Sequence, residues 1–151
     1  MHRLYNLKTK WALVLYAVFD VLGVGLGMGV PIVCIALGLP AGWVVARRAA
    51  GHADTREQLA RSLRGAALVA GITFVLMAGF WGPWFVLLLD PAADLARLGM
   101  PLLLYEPTAS FVGWLVLMIF ISPFLQFLMA VLGVHLAILW GPSGANGPTD
   151  S

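Results

Sequence analysis

The sequence predicts an all-α membrane protein with four transmembrane helices, and three observations lead there. Hydrophobic residues make up 61% of the 151-residue chain and charged residues 11%, with a mean hydropathy of +0.92. A soluble domain carries about 25% charged and about 45–50% apolar residues. So little charge cannot wet a globular surface, which excludes a soluble enzyme, a disordered protein and a cytosolic binding module. The second observation is length: charge-poor stretches run over 11–46, 66–89 and 110–140, and about 20 residues suffice to cross the hydrocarbon. The third is the placement of the basic and tryptophan residues, which sets the number of crossings.

The amino-terminal tail, 1–10, holds Arg3, Lys8 and Lys10 ahead of an apolar run. That resembles the start of a signal sequence. Asp20 interrupts the run and no small-x-small cleavage site follows, so it reads as a retained first span. The stretch 11–46 is too long for one helix. Gly23, Gly25, Gly27 and Gly29 followed by Pro31 break it, because glycine weakens a continuous helix and proline suits the first turn of a new one. Spans at 11–27 and 31–46 follow, as a tight hairpin with a Gly/Pro turn.

An inner loop at 47–65 comes next. Asp54 and Glu57 read as a helix cap and its capping-box partner. Glu57 and Arg61 are spaced for an i,i+4 ion pair, as Leu59 and Leu63 are for an apolar one. The third helix should therefore begin near Thr55 and cross over 66–89. In the outer loop, 90–109, Asp90-Pro91 predicts a short helix that Gly99 stops, with Leu95 and Leu98 toward the membrane surface. The fourth span covers 110–140. The segment 141–151 is small, polar and proline-punctuated, a disordered tail.

Charge supports four spans. With both termini cytoplasmic, Arg3, Lys8, Lys10, Arg47, Arg48, Arg56, Arg61 and Arg64 lie inside and only Arg97 outside, as the positive-inside bias prefers. Tryptophans agree. Trp11, Trp43 and Trp140 fall at inner ends and Trp81, Trp84 and Trp114 toward the outer side, as in two interfacial belts. The expected setting is a cell membrane crossed several times, compatible with a bacterial inner membrane. The net charge of +2 points to anionic headgroups at the inner basic loop rather than to nucleic acid.

Few residues could carry chemistry. Asp20 lies near the middle of the first span, where a charged group costs about 2.5–3.5 kcal/mol and faces the bundle interior or water. Tyr16, Gly23 and Gly27 share its face, so a neighbouring helix approaches there. In the fourth span Ser122 and Gln126 share a face, continued by Ala130 and Gly133. Nine steps of about 100° set His135 on the opposite side, as an interfacial residue beside Trp140. The candidate intramembrane polar site is thus Asp20, Tyr16, Gln126 and Ser122, with Gln126 as the first partner of Asp20. It is either a proton or cation site or a hydrogen-bonded lock between helices.

Other features have structural readings. Thr73 can satisfy its hydroxyl on its own backbone. Ala67, Gly71, Ala78 and Gly82 form a small-residue seam in the third span, and Gly38 and Gly42 form another in the second; both read as packing faces. Pro40, Pro83 and Pro123 bend overlong helices. Cys34 is the only cysteine, which excludes an internal disulfide. His2, His52 and His135 are scattered over the amino-terminal tail, the inner loop and the fourth span, so no metal site is expected. No dinucleotide, phosphate-loop, zincin or serine-hydrolase motif occurs, and no cofactor is expected. The reading is a non-enzymatic accessory or scaffold subunit that packs through small-residue faces against itself or a membrane partner. The alternative is an oligomeric small transporter or channel that uses Asp20 as its proton or cation site.

Overall fold

The computed structural model describes residues 9–26, 31–50, 55–98 and 104–140. They form α1 (Thr9–Leu26), α2 (Ile32–Ala49), α3 (Thr55–Trp81), α4 (Pro107–Val116) and α5 (Ser122–Leu139). Two 3₁₀ segments, Gly82–Leu88 and Leu95–Arg97, follow α3, and a π segment, Leu117–Ile121, joins α4 to α5. Among the described residues there is no strand. Three helices among the described residues are long and apolar enough to cross a membrane: Ile32–Ala49, Arg56–Leu88 and Pro107–Leu139. The glycine turn at 27–30, the Asp54 cap, the Gly99 stop, the tail at 141–151 and the basic residues Arg3 and Lys8 lie outside the described residues.

The first apolar stretch is two helices. α1 ends at Leu26 and α2 begins at Ile32, just after Pro31, whose carbonyl accepts the Ile35 N–H at 2.9 Å. α3 starts at Thr55, and Glu57 meets Arg61 at 2.6 Å on its first turns. Its α geometry stops at Pro83, which lacks an N–H and crowds the carbonyl four residues back; the chain goes on as 3₁₀ helix. Pro123 acts differently. The π segment precedes it, and the extra residue in that turn accommodates the proline ring. Ser122 Oγ donates to the Leu117 carbonyl at 2.7 Å, using a carbonyl of the widened turn.

One expected element is corrected. Asp90 does cap, since its Oδ1 accepts the Ala92 N–H at 2.9 Å. No α-helix follows Pro91; a turn leads to the three-residue 3₁₀ segment at Leu95–Arg97. So short a segment closes too few hydrogen bonds to offset helix nucleation, and most of its side chains are exposed rather than packed.

Packing contacts show helix directions that alternate. At one end Cys34, Met77, Trp114 and Met118 form a cluster, with Val24 and Trp81 against it. At the other, Ala46, Val134 and Ala137 pack with Trp43, and Trp43 meets Trp140 edge-on at 6.2 Å. The ends of α1 and α3 and the starts of α2 and α4 therefore share the first end. α2 runs parallel to α5 and antiparallel to α1 and α3.

The tightest contact is α2 on α5. A Cβ on Gly42 would strike the Ala130 carbonyl, one on Gly38 the Gln126 carbonyl, and one on Gly133 the Leu39 carbonyl. Only glycine lets these backbones approach so closely. The Gly38–Gly42 seam is thus a packing face. The α3 seam is not: nothing lies within 4 Å of a Cβ on Gly71 or Gly82, and Ala67 is exposed. α3 instead buries Ser62, Ala66, Val69, Thr73 and Met77. That stripe keeps the i,i+3/i+4 period of a core face, rotated away from the small residues. Trp114 is also displaced from its expected belt: it is 7% exposed and packs in the core against Trp81.

Candidate functional site

The bundle interior holds one polar cluster, midway along the helices. α1 brings Tyr16 and Asp20, one helical turn apart on its inward stripe with Gly23. α3 brings Thr73 from its buried stripe, and α5 brings Gln126 one turn before Ala130. α2 contributes Cys34, through its main-chain carbonyl and its thiol. Asp20, Thr73 and Gln126 are each 0% exposed, so their partners come from within the bundle.

Proton counting gives the hydrogen bonds a direction. Thr73 Oγ1 donates to Asp20 Oδ2 at 2.6 Å. That uses its single hydroxyl proton, so the 3.0 Å contact between Tyr16 and Thr73 has the Tyr16 hydroxyl donating. Gln126 Nε2 donates to the Tyr16 hydroxyl and to the Cys34 carbonyl at 2.8 Å, with Asp20 Oδ1 farther off at 3.4 Å. A carbonyl can only accept, so Cys34 fixes the orientation of the Gln126 amide. The chain runs from Gln126 through Tyr16 and Thr73 to the Asp20 carboxyl. The Cys34 thiol donates to the Asp20 main-chain carbonyl at 3.6 Å, a second tie between α1 and α2. Gln126 Oε1 is buried with no hydrogen-bond partner among the described residues.

Of the four residues expected from the sequence, Asp20, Tyr16 and Gln126 come together. Ser122 does not join them. It is buried one turn away and bonded to the Leu117 carbonyl of its own helix, because the π turn leaves that oxygen within its reach. Thr73 is the residue that sequence reasoning set aside. Its hydroxyl lies 3.4 Å from the Val69 carbonyl of its own helix, but its single proton goes to Asp20 at 2.6 Å. A depth count could have found it: Asp20 and Thr73 lie at similar distances from the predicted inner ends of their spans. The Cys34 carbonyl has no such signal, since any residue of α2 offers one. His135 is exposed, and its Nδ1 lies 2.9 Å from the Val131 carbonyl.

The donors around the carboxyl are neutral: a hydroxyl and an amide, with a phenol one bond further. Among the described residues no three His, Cys, Asp or Glu side chains gather as a metal ion would require. The arrangement joins α1, α3 and α5 through side-chain hydrogen bonds and α2 through Cys34, and leaves Gln126 Oε1 unpaired among the described residues. Comparison with protein-family models, with curated proteins and with solved structures finds no match.

Proposed function

We propose that this is a multi-pass membrane protein with four spans and both termini cytoplasmic, acting as a non-enzymatic accessory or scaffold subunit. The observation that carries the reading is closure of the polar cluster: Asp20, Thr73 and Gln126 have no exposed surface. Polar side chains that close on each other supply interhelical glue; a transport site needs a route to water. α1 supports its place as the fourth span by running antiparallel to α2 and bringing a carboxyl to mid-height. Lys10, Arg47, Arg48, Arg56, Arg61 and Arg64 then share one end of the helices, and the positive-inside bias favours the cytoplasm for that end. A bacterial inner membrane is the setting that fits. Apolar side chains such as Val75, Val86 and Leu132 cover the outside and suit lipid, a second copy or a membrane partner.

The alternative is a proton or cation pathway through Asp20. It is favoured by one observation: Tyr16 belongs to the cluster and also lines a cleft between α1, α2 and α3. Flux decides between the two. Parent protein and Asp20→Asn are reconstituted in liposomes and their proton and sodium flux compared. Equal or absent flux in both supports the scaffold. A flux lost in a well-folded Asp20→Asn protein establishes transport.

A further inference from the structure

α1 leans away from α2 and α3 below the polar cluster and leaves a cleft of about 540 Å³ between them. Small-molecule sites span about 300–1,000 Å³, so the cleft is large enough to hold a ligand. Its walls are apolar along their length, with Leu15, Phe19, Leu37, Val44 and Leu68 among them. Polarity is confined to the two ends. Tyr16 stands at the end nearer the polar cluster, in contact with Thr73. Arg48, on the last turn of α2, and Arg61, on the second turn of α3, line the opposite end, where α1 begins.

We infer that the cleft is a binding site for one anionic phospholipid, its acyl chain along the apolar walls and its phosphate at Arg48 and Arg61. Three properties converge on that occupant. An apolar slot about as long as half a helix bundle takes a hydrocarbon chain. Two guanidinium groups at its mouth complement a negative headgroup, and basic pockets between transmembrane helices on the cytoplasmic side hold such headgroups. Arg61 Nη2 and Nε are 2.6 and 3.1 Å from Glu57, which holds the guanidinium in place; its five N–H donors exceed what one carboxylate oxygen accepts. Both arginines lie at the height the charge distribution assigns to the inner headgroups. The ligand's chain would end against Tyr16, so occupancy would bear on the hydrogen bonds that tie α1 to α3 and α5.

The inference rests on the membrane reading above, and the two fail separately. Polarised infrared spectroscopy of the protein in bilayers tests whether its helices stand along the membrane normal. Lipid retention tests the site. The protein is extracted with mild detergent from bilayers of equal phosphatidylglycerol and phosphatidylcholine, and native mass spectrometry reads what stays bound. The expected result is one retained phosphatidylglycerol, preferred about tenfold or more given two arginines near the surface. The double variant Arg48→Gln/Arg61→Gln should bring that preference close to one. Ala41→Phe fills the cleft and should lower retention of both lipids, and Val44→Phe is a second filling variant should the first fail to fold. Arg64→Gln, exposed and outside the cleft lining, should leave retention unchanged. Equal retention of the two lipids by the parent overturns the site, as does undiminished retention in the folded filling variants or an unchanged preference in the double variant. A loss in Arg64→Gln as large as in the double variant reduces the effect to general surface charge and also overturns it.

Discussion

The two flanks of α2 hold their neighbours in different ways. Toward α5 the contact is backbone on backbone: Gly38, Gly42 and Gly133 remove the side chains that would keep the helices apart, and the seam runs through the middle of α2, from Gly38 to Trp43. Toward α1 the contact is narrow. Gly23 packs against Val33 and Cys34 near the turn, the Cys34 thiol and carbonyl take part in the polar cluster, and below that level the helices part around the cleft. Val14, Val18 and Leu22 of α1 face outward. One flank is joined by shape, the other by a few hydrogen bonds at a single level. With little hydrophobic drive between helices in lipid, close fit and interhelical hydrogen bonds are the means left. This chain uses one on each side.

The sharpest way to break the comparison is at the seam. Gly42→Leu should cost the most, at least the about 1–3 kcal/mol of overpacking, because the clash is with the Ala130 backbone and no rotamer relieves it. Reversible unfolding in a detergent–denaturant titration should show the loss as a lowered midpoint. Gln126→Leu comes next. It removes the donor to both Tyr16 and the Cys34 carbonyl, and interhelical hydrogen bonds in membranes are worth about 0.6 kcal/mol on average and about 1.7 at most. A loss of roughly 1–2 kcal/mol is expected, with α1 released first. Cysteine-accessibility labelling at Phe19 should increase in this variant while labelling on α5 stays as in the parent.

Thr73→Val should have a smaller effect, about 0.6 kcal/mol on the same scale, since Gln126 still faces Asp20 at 3.4 Å. A double-mutant cycle of Thr73→Val with Asp20→Asn should show coupling; strict additivity would mean that the 2.6 Å bond contributes nothing. Smallest of all is Gly71→Ala, with open space around the new methyl. It should stay within about 0.5 kcal/mol of the parent, as surface substitutions do. A large destabilisation in the same titration would show that this face is covered by a second copy or a partner. That outcome would extend the seam principle beyond the single chain.

Much of this comparison is legible from residue order alone. The break near Pro31 and the α3 start at Thr55 follow from local chemistry: glycine and proline act on their own backbone. The pairing of Asp20 with Gln126 is legible because a carboxyl in an apolar helix needs a donor, and small residues mark the helix faces that meet. The same small-residue rule misdirects on α3. Ala67, Gly71, Ala78 and Gly82 permit a close approach but do not require one, and Thr73 and Met77 on another face fill the interior instead. Ser122 shares its periodicity with Gln126, yet the π turn before Pro123 provides it with a carbonyl of its own helix. Local hydrogen bonds of that kind depend on backbone detail that a regular 100° wheel omits.

Composition and order determine by themselves that the chain is helical and apolar, where its helices break, and which residues are too polar to face lipid. These properties belong to single residues or to neighbours within a turn. Tertiary structure alone decides which faces meet, that Thr73 rather than Ser122 completes the cluster, and that α1 stands off far enough to leave a cleft with Arg48 and Arg61 at its mouth. Those outcomes depend on the rotation and tilt of each helix against three others. Backbone contact at Gly42 and Gly133 sets that geometry to within the width of a methyl group, a quantity no one segment of the chain contains.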